Sequence, residues 1–298
     1  MGNFYIWSGN EQGLVEYFDP GCLAECSFYD TDLLAQADKW NKIDSARCIT
    51  QGEWWQYPEK YQGPDITICG PCSSVLDVAW RLFSAHCLNV WDSVITVYQW
   101  AGRGQLGRSW SSPAGNIYAA LRCPSPVNHP VHGLPVIIGL CLVRAFSELG
   151  FPVYLKWPND LLQNRKKVGG VLVEEKKENV FAGIGVNLNC IPEIFAGDHS
   201  SALAVQKLPS SRHMVSPAGC WQRLVRKAVL WYGELVVNED LQNVAAEVEQ
   251  VMEFLGEEVQ IESGGERFTA RILGVDKHLG LRIKSGGEEK VLYSASLL

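Results

Sequence analysis

A chain of 298 residues with 47% hydrophobic and 20% charged side chains has room for two domains of roughly 150 residues each, and is too apolar for an intrinsically disordered protein. The excess of 33 acidic over 26 basic residues, net charge −7, argues against a broad nucleic-acid surface while leaving room for a local basic pocket. No run reaches the roughly 20 apolar residues of a membrane helix, Met1 to Asn10 lacks the charged and apolar regions of a secretory leader, and ten cysteines lie scattered along the chain.

These features set the expectation of a cytoplasmic protein with neither a membrane nor a nucleic-acid partner. Residues 1–64 are rich in aromatics (Phe4, Tyr5, Trp7, Tyr17, Phe18, Trp40, Trp54, Trp55) but weak in periodicity, and Asp19-Pro20-Gly21 and Gly63-Pro64-Asp65 interrupt them. They read as an extension of short elements packed on the main body.

Regular patterning starts at Asp65. Ile66 to Cys69 predicts a short strand. Val75, Leu76, Ala79, Leu82 and Phe83 then follow helical spacing, with Ser74 and Asp77 resembling a capping box at the start. Strands are predicted over Ser93 to Gln99 and Ile117 to Leu121, and a mostly apolar helix over Leu134 to Leu149 stops at Gly150. Val153 to Trp157, Val168 to Glu174 and Val180 to Leu188 read as further strands. Helices are expected from Pro217 to about Leu235 and from Glu239 to Phe254. Beyond Leu255, short segments (Glu258 to Glu262, Phe268 to Val275, Leu281 to Lys284, Glu289 to Tyr293) separated by glycines have the signature of a small hairpin-built barrel.

Two motifs suggest chemistry that their surroundings do not support. Cys69-Gly70-Pro71-Cys72 has the spacing of a thioredoxin-type pair between a strand and a helix, yet the βαβ topology of such a domain does not follow. Gly102-Arg103-Gly104-Gln105-Leu106-Gly107 spells a dinucleotide fingerprint. Pro113 and Gly115, however, are poor helix formers, and residues 121 to 129 contain no acidic partner. What is left is a glycine loop bearing Arg103 and Arg108, suited to a carboxylate or phosphate, with a solvated surface loop as the alternative reading.

Two further stretches bring polar groups to strand ends. Lys156-Trp157-Pro158-Asn159-Asp160 and Lys167-Val168-Gly169-Gly170 would, in a hairpin, gather two lysines, an asparagine and an aspartate at one end of a sheet, although each charge taken alone reads more readily as a solvated turn residue than as a catalyst. Gly183-Ile184-Gly185-Val186-Asn187-Leu188-Asn189 is a strand whose glycines mark either a bulge or the close approach of a ligand. His129-x-x-His132 lies in a Pro-rich loop without cysteine or acidic partners, so no metal site is assigned.

Taken in order, GRGQLGRSW at 102–110, Ser112-Pro113, Gly115-Asn116, Tyr118, KWPND at 156–160, KVGG at 167–170 and GIGVNLN at 183–189 resemble the biotin protein ligase family across about residues 66 to 298. The resemblance implies an α+β fold: a mixed or antiparallel sheet flanked by helices, class II synthetase-like, over 65–252, with a small SH3-like β-barrel over 253–298. No counterpart of the winged-helix DNA-binding domain of the family's repressor members is visible in residues 1 to 64.

It also implies a two-step reaction: biotin and ATP with Mg2+ give biotinyl-5′-adenylate, and the acyl group passes to a lysine of a carboxylase carrier domain. The implied catalytic residues are Lys167, Asp160 and Arg103. Lys167 would contact acid and phosphate, and Asp160 would take the proton of the attacking amine. The implied biotin-binding set is Ser73, Ser74, Gln99, Gly102, Arg103, Gln105, Gly170, Leu172 and Gly183. The implied nucleotide-binding set is Arg103, Arg108, Trp110, Lys156, Asn159, Lys167 and Asn187. A homodimer is left open.

Departures from the family pattern are specific. Ser73-Ser74-Val75-Leu76 places Val75 where relatives carry a threonine, a lost hydroxyl bond worth about 1 kcal/mol of binding unless Ser74 substitutes. Gln105-Leu106 replaces a pair of arginines found in some relatives. Cys69 and Cys72 border the expected biotin pocket, which raises the expectation that their oxidation gates entry. A lipoate or octanoate ligase would call for an Arg-Arg-x-x-Gly-Gly-Gly type loop that is absent. A non-catalytic biotin or biotinyl-adenylate sensor is the other alternative.

Overall fold

The computed structural model describes residues 1–26, 33–44, 51–125, 131–191, 216–237 and 241–298. In chain order the first elements are β1 (Phe4–Ser8), α1 (Pro20–Glu25), β2 (Asn41–Ile43), β3 (Glu53–Gln56), β4 (Ile66–Cys69), α2 (Val75–Ser84), β5 (Ser93–Thr96) and β6 (Ile117–Cys123). Next come α3 (Leu134–Glu148), β7 (Tyr154–Lys156), β8 (Asp160–Gln163), β9 (Lys166–Lys176) and β10 (Asn179–Val186). The chain continues with α4 (Pro217–Tyr232), α5 (Leu241–Val251), β11 (Glu258–Ser263), β12 (Glu266–Val275), β13 (Leu281–Ser285), β14 (Glu288–Leu292) and β15 (Ser296–Leu297). The described residues form two compact units. Unit 1 holds those of 1–125, 172–191 and 216–226, and unit 2 those of 131–171 and 227–298.

Unit 1 is a mixed sheet in the order β2-β3-β1-β4-β5-β6-β10. β1 pairs antiparallel with β3 and parallel with β4, in register from Phe4↔Ile66 to Trp7↔Cys69. Residues 4–8 are therefore an interior strand of this sheet. All five are buried, so they show none of the in–out alternation by which a half-exposed strand is read. β4 and β5 are likewise buried at every position and run parallel. Helix α2 buries Val75, Leu76, Val78, Ala79 and Leu82 in a cluster with Val94, Ala120 and Phe181 of the sheet.

The Ser74–Asp77 capping box is not formed. Ser74 occupies the N-cap position with extended backbone (φ −152°), but its side chain makes no capping hydrogen bond. The first helical amide, of Val75, donates instead to Gln99 Oε1 at 2.8 Å.

In unit 2, α3 is buried along most of its length, and β7 lies close because Gly139 has no side chain: a Cβ there would come within 2.6 Å of Leu155 Cδ1. The hairpin β7–β8 pairs Lys156 with Asp160, so the residues read as a turn already open a strand at Asp160. The C-terminal strands form an antiparallel sheet in the open order β14-β13-β12-β11-β15, where a small barrel was expected. Its β12 bulges between Ile272 and Gly274. Gly274, at φ +137°, leaves room for the Glu249 carboxylate, which accepts the Val275 amide at 2.9 Å. No helix among the described residues is long and apolar enough to cross a membrane.

Candidate functional site

The glycine loop of unit 1 is closed by its own backbone. Trp110 N donates to Gly102 O (2.9 Å), Gly104 N to Arg108 O (2.8 Å) and Arg108 N to Gln105 O (3.2 Å). The tip turns through Leu106 and Gly107 at φ +57° and +73°, leaving Leu106 77% exposed. At the base a Cβ on Gly102 would lie 2.5 Å from Trp110 O and 2.8 Å from Ser112 Oγ, so only glycine fits there. Gln105 is half-buried and Arg108 exposed.

Arg103 leaves this loop and binds two carboxylates, Asp77 of α2 at 2.8 Å and Glu174 of β9 at 2.9 Å. These bonds, Asp77's first, raise its pKa further above the usual guanidinium value. Glu174 also accepts Trp80 Nε1 at 2.9 Å, and Asp77 accepts Ser73 Oγ at 3.3 Å. The buried amide of Gln99 connects the α2 start to the far side of the loop, since its Nε2 donates to Ser112 Oγ at 2.9 Å.

The glycines of β10 accommodate the protein's own side chains. A Cβ at Gly183 would come within 2.7 Å of Leu76, and one at Gly185 within 2.6 Å of the Trp110 indole. Leu172 packs, half-buried, against the α2 cluster. At the end of the strand Asn187 is 1% exposed, and its Oδ1 is buried without a hydrogen-bond partner among the described residues. Such an orphan acceptor costs free energy unless another donor meets it.

Asn116, to which sequence reasoning gave no role, organises the turn that follows. Its Oδ1 accepts the amides of Leu188 (2.8 Å), Asn189 (3.1 Å) and Cys190 (3.0 Å), while its Nδ2 donates to Cys190 O (2.9 Å). The only sequence signal was the Gly115-Asn116 pair just before a strand.

Cys69 and Cys72 are free thiols, each fully buried. Burial first, then the hydrogen bond with Cys72, holds the Cys69 thiol well above its ordinary pKa, the reverse of a reactive thiolate. Both side chains belong to the core cluster beside α2.

In unit 2 the hairpin and the start of β9 assemble a charged cluster. Lys167 Nζ lies 2.8 Å from Asp160 Oδ1, and Lys156 Nζ lies 3.9 Å from Asp160 Oδ2, with side chains between 16% and 22% exposed. Register explains the meeting, because Asp160 faces Lys156 across β7–β8 and Gly170 across β8–β9. Asn159 ties the turn to β9 through Nδ2 to Val171 O (2.8 Å), and Val171 N returns a bond to Asn159 O (2.9 Å). The Trp157–Pro158 bond, in the turn between Lys156 and Asp160, is cis. Trp157 is a core side chain whose Nε1 donates to Leu279 O at 2.9 Å. His129 lies outside the described residues. Among those described, no group of three or more His, Cys, Asp or Glu could hold a metal ion.

Residues 79–190 match the biotin/lipoate A/B protein ligase family. The chain is 32% identical over 156 residues to a biotin--[acetyl-CoA-carboxylase] ligase of Paracoccus denitrificans, covering 48% of this chain and 63% of that one. It is 28% identical over 207 residues to the bifunctional ligase/repressor BirA of Escherichia coli, covering 66% and 62%. It thus spans less than two thirds of either relative. The fold is that of biotin protein ligase from Aquifex aeolicus, solved in complex with biotin and ATP: TM-score 0.67, 23% identity, 80% of this chain and 99% of that one. The family match thus covers residues 79–190, and the likeness to the solved ligase is one of fold.

Proposed function

We propose that the protein is a biotin protein ligase, which activates biotin with ATP and Mg2+ to biotinyl-5′-adenylate and transfers the acyl group to a lysine of a carboxylase carrier domain. The observation that carries the reading is the cluster of unit 2, in which two ammonium groups share one carboxylate.

The first step sets an anion against an anion. The biotin carboxylate attacks the α-phosphorus of ATP, a bond to phosphorus forms, and pyrophosphate leaves with its electron pair. Fixed positive charge lowers this barrier most. Lys167 and Lys156 are assigned to it, with Arg108 of the glycine loop. No base is required, since a carboxylate with pKa near 4–5 is already ionised at neutral pH.

In the second step a neutral amine attacks the acyl carbon, AMP leaves, and the amine proton passes to a base. Asp160 is assigned that role. The buried Oδ1 of Asn187 is suited to a hydroxyl or amino donor of the adenylate. Trp110 and Asn159 complete the nucleotide set. Ser73, Ser74, Gln99, Gly102, Arg103, Gln105, Gly170, Leu172 and Gly183 are assigned to biotin, with Gln99 and Gly102 shaping the pocket and Arg103 also assigned to the nucleotide. Magnesium would enter on the ATP phosphates. The five-stranded C-terminal sheet is assigned the SH3-like role, and the cytoplasm is the proposed compartment.

The test combines purified protein, biotin, MgATP and a biotin carboxyl carrier domain, read by intact mass. One biotinyl group on one carrier lysine is expected. Tight biotin binding without adenylate or product would favour the sensor, and turnover with lipoate or octanoate in place of biotin would favour the lipoyl branch of the family.

A further inference from the structure

The turn that carries Ser73 lies within a ladder of four chain segments, all in unit 1. Val15 bridges to Cys72, Cys72 to Gln99, and Gln99 to Ser112. The two inner segments carry Ser73 and Gln99, and the segment at Ser112 closes the base of the glycine loop. The opposite edge is the N-terminal stretch 11–16, which lies outside the 79–190 family match.

The bonds are backbone bonds on both sides of the turn. On the N-terminal side Glu16 N donates to Pro71 O at 2.8 Å, and Ser73 N donates to Leu14 O at 2.8 Å. On the loop side Cys72 N donates to Tyr98 O (3.1 Å), Trp100 N to Cys72 O (3.1 Å) and Ala101 N to Ser73 O (2.9 Å). The outer stretch is itself held. Leu14 N and Val15 N both donate to Glu11 O (3.0 and 3.1 Å), and the Glu11 carboxylate accepts Arg81 Nε of α2 at 3.2 Å. Gly70 seals the contact, because a Cβ there would lie 2.6 Å from Glu16 O and 2.7 Å from Phe18 Cβ. The turn has little room to move while residues 11–16 stay in place.

We propose that residues 11–16 are a positioning element for the acid-binding turn: Glu16 N and Leu14 O set the place of Ser73, and Ala101 N carries that placement into the glycine loop. The N-terminal region then contributes to the biotin side of the reaction and not to the nucleotide side. The inference rests on the biotin reading of Ser73 and Ser74.

The test uses the full chain in biotin-dependent ATP–pyrophosphate exchange, with each substrate varied in turn. Glu16→Pro removes a single edge hydrogen bond at an exposed position and is expected to raise the KM for biotin about fivefold, leaving kcat and the KM for ATP in place. Glu16→Ala, which restores the N–H, should return the biotin KM. A folded Glu16→Pro protein with an unchanged biotin KM overturns the proposal, as does a parallel rise in both KM values. Should that variant fail to fold, Glu11→Gln weakens the hold on α2, and a smaller rise confined to biotin is expected; no rise overturns the proposal. If the wild-type protein shows no exchange, the ligase reading fails on its own. Amide exchange then decides the positioning claim: faster exchange at Ser73 and Ala101 in Glu16→Pro is expected, and unchanged protection contradicts it.

Discussion

Unit 1 and unit 2 treat positive charge in opposite ways. In unit 1 one arginine, Arg103, lies between two carboxylates, Asp77 and Glu174, each oxygen pair also engaged with a neighbouring donor. In unit 2 two lysines, Lys156 and Lys167, lie about one carboxylate, Asp160. A sequence read for cations scores all three alike. The geometry separates them: a fork gripped from both sides fixes a loop, whereas the two ammonium groups meet at one shared carboxylate. The proposed chemistry of adenylate formation therefore rests more heavily on the lysines than on Arg103.

Substitutions can break or sharpen that contrast. The largest effect is expected for Lys167→Ala, which should slow biotin-dependent pyrophosphate exchange by at least about a hundredfold, the scale of losing one preorganised charge donor. An equal loss in transfer from preformed adenylate would assign Lys167 differently. Asp160→Asn should slow transfer from preformed adenylate by about a hundredfold while exchange falls less, as loss of a general base demands. Single-turnover transfer to the carrier domain separates the two steps.

On the other side of the contrast, the double change Asp77→Asn with Glu174→Gln should leave kcat near its original value and raise the biotin KM about fivefold, because the guanidinium keeps its charge and loses its hold on the loop. A collapse of kcat comparable with that of Lys167→Ala would make Arg103 a direct participant and erase the distinction. The smallest effect is expected at the turn itself: Cys69 and Cys72 should resist iodoacetamide in the native protein and react only after unfolding, as mass spectrometry of labelled peptides would show.

Helices α2 and α3 were legible from their period, and strands β4, β6 and β10 as short apolar runs near turn residues; all stand within a few residues of their expected bounds. β1 has no period to read, since all its residues are buried, and its partner β4 lies about sixty positions on, from Phe4 to Ile66. β8 begins on a charged residue, and the pairing that makes it a strand is set by the hairpin.

The same division holds for the site. The cluster of Lys156, Asp160 and Lys167 was readable because its members lie close in sequence. The Asp77–Arg103–Glu174 and Asn116–Cys190 contacts join residues up to 74 positions apart, and no local pattern announces them. The glycines at 183 and 185 were read as marking either a bulge or the close approach of a ligand; a Cβ there would meet Leu76 and Trp110.

The central claim is that this chain joins a carboxylate to a nucleotide with displacement of pyrophosphate. Isotope exchange between ATP and labelled pyrophosphate tests it most directly. Label entering ATP only when biotin is present, and lost in Lys167→Ala, is the expected result; a folded wild-type protein that exchanges no label with biotin would contradict it.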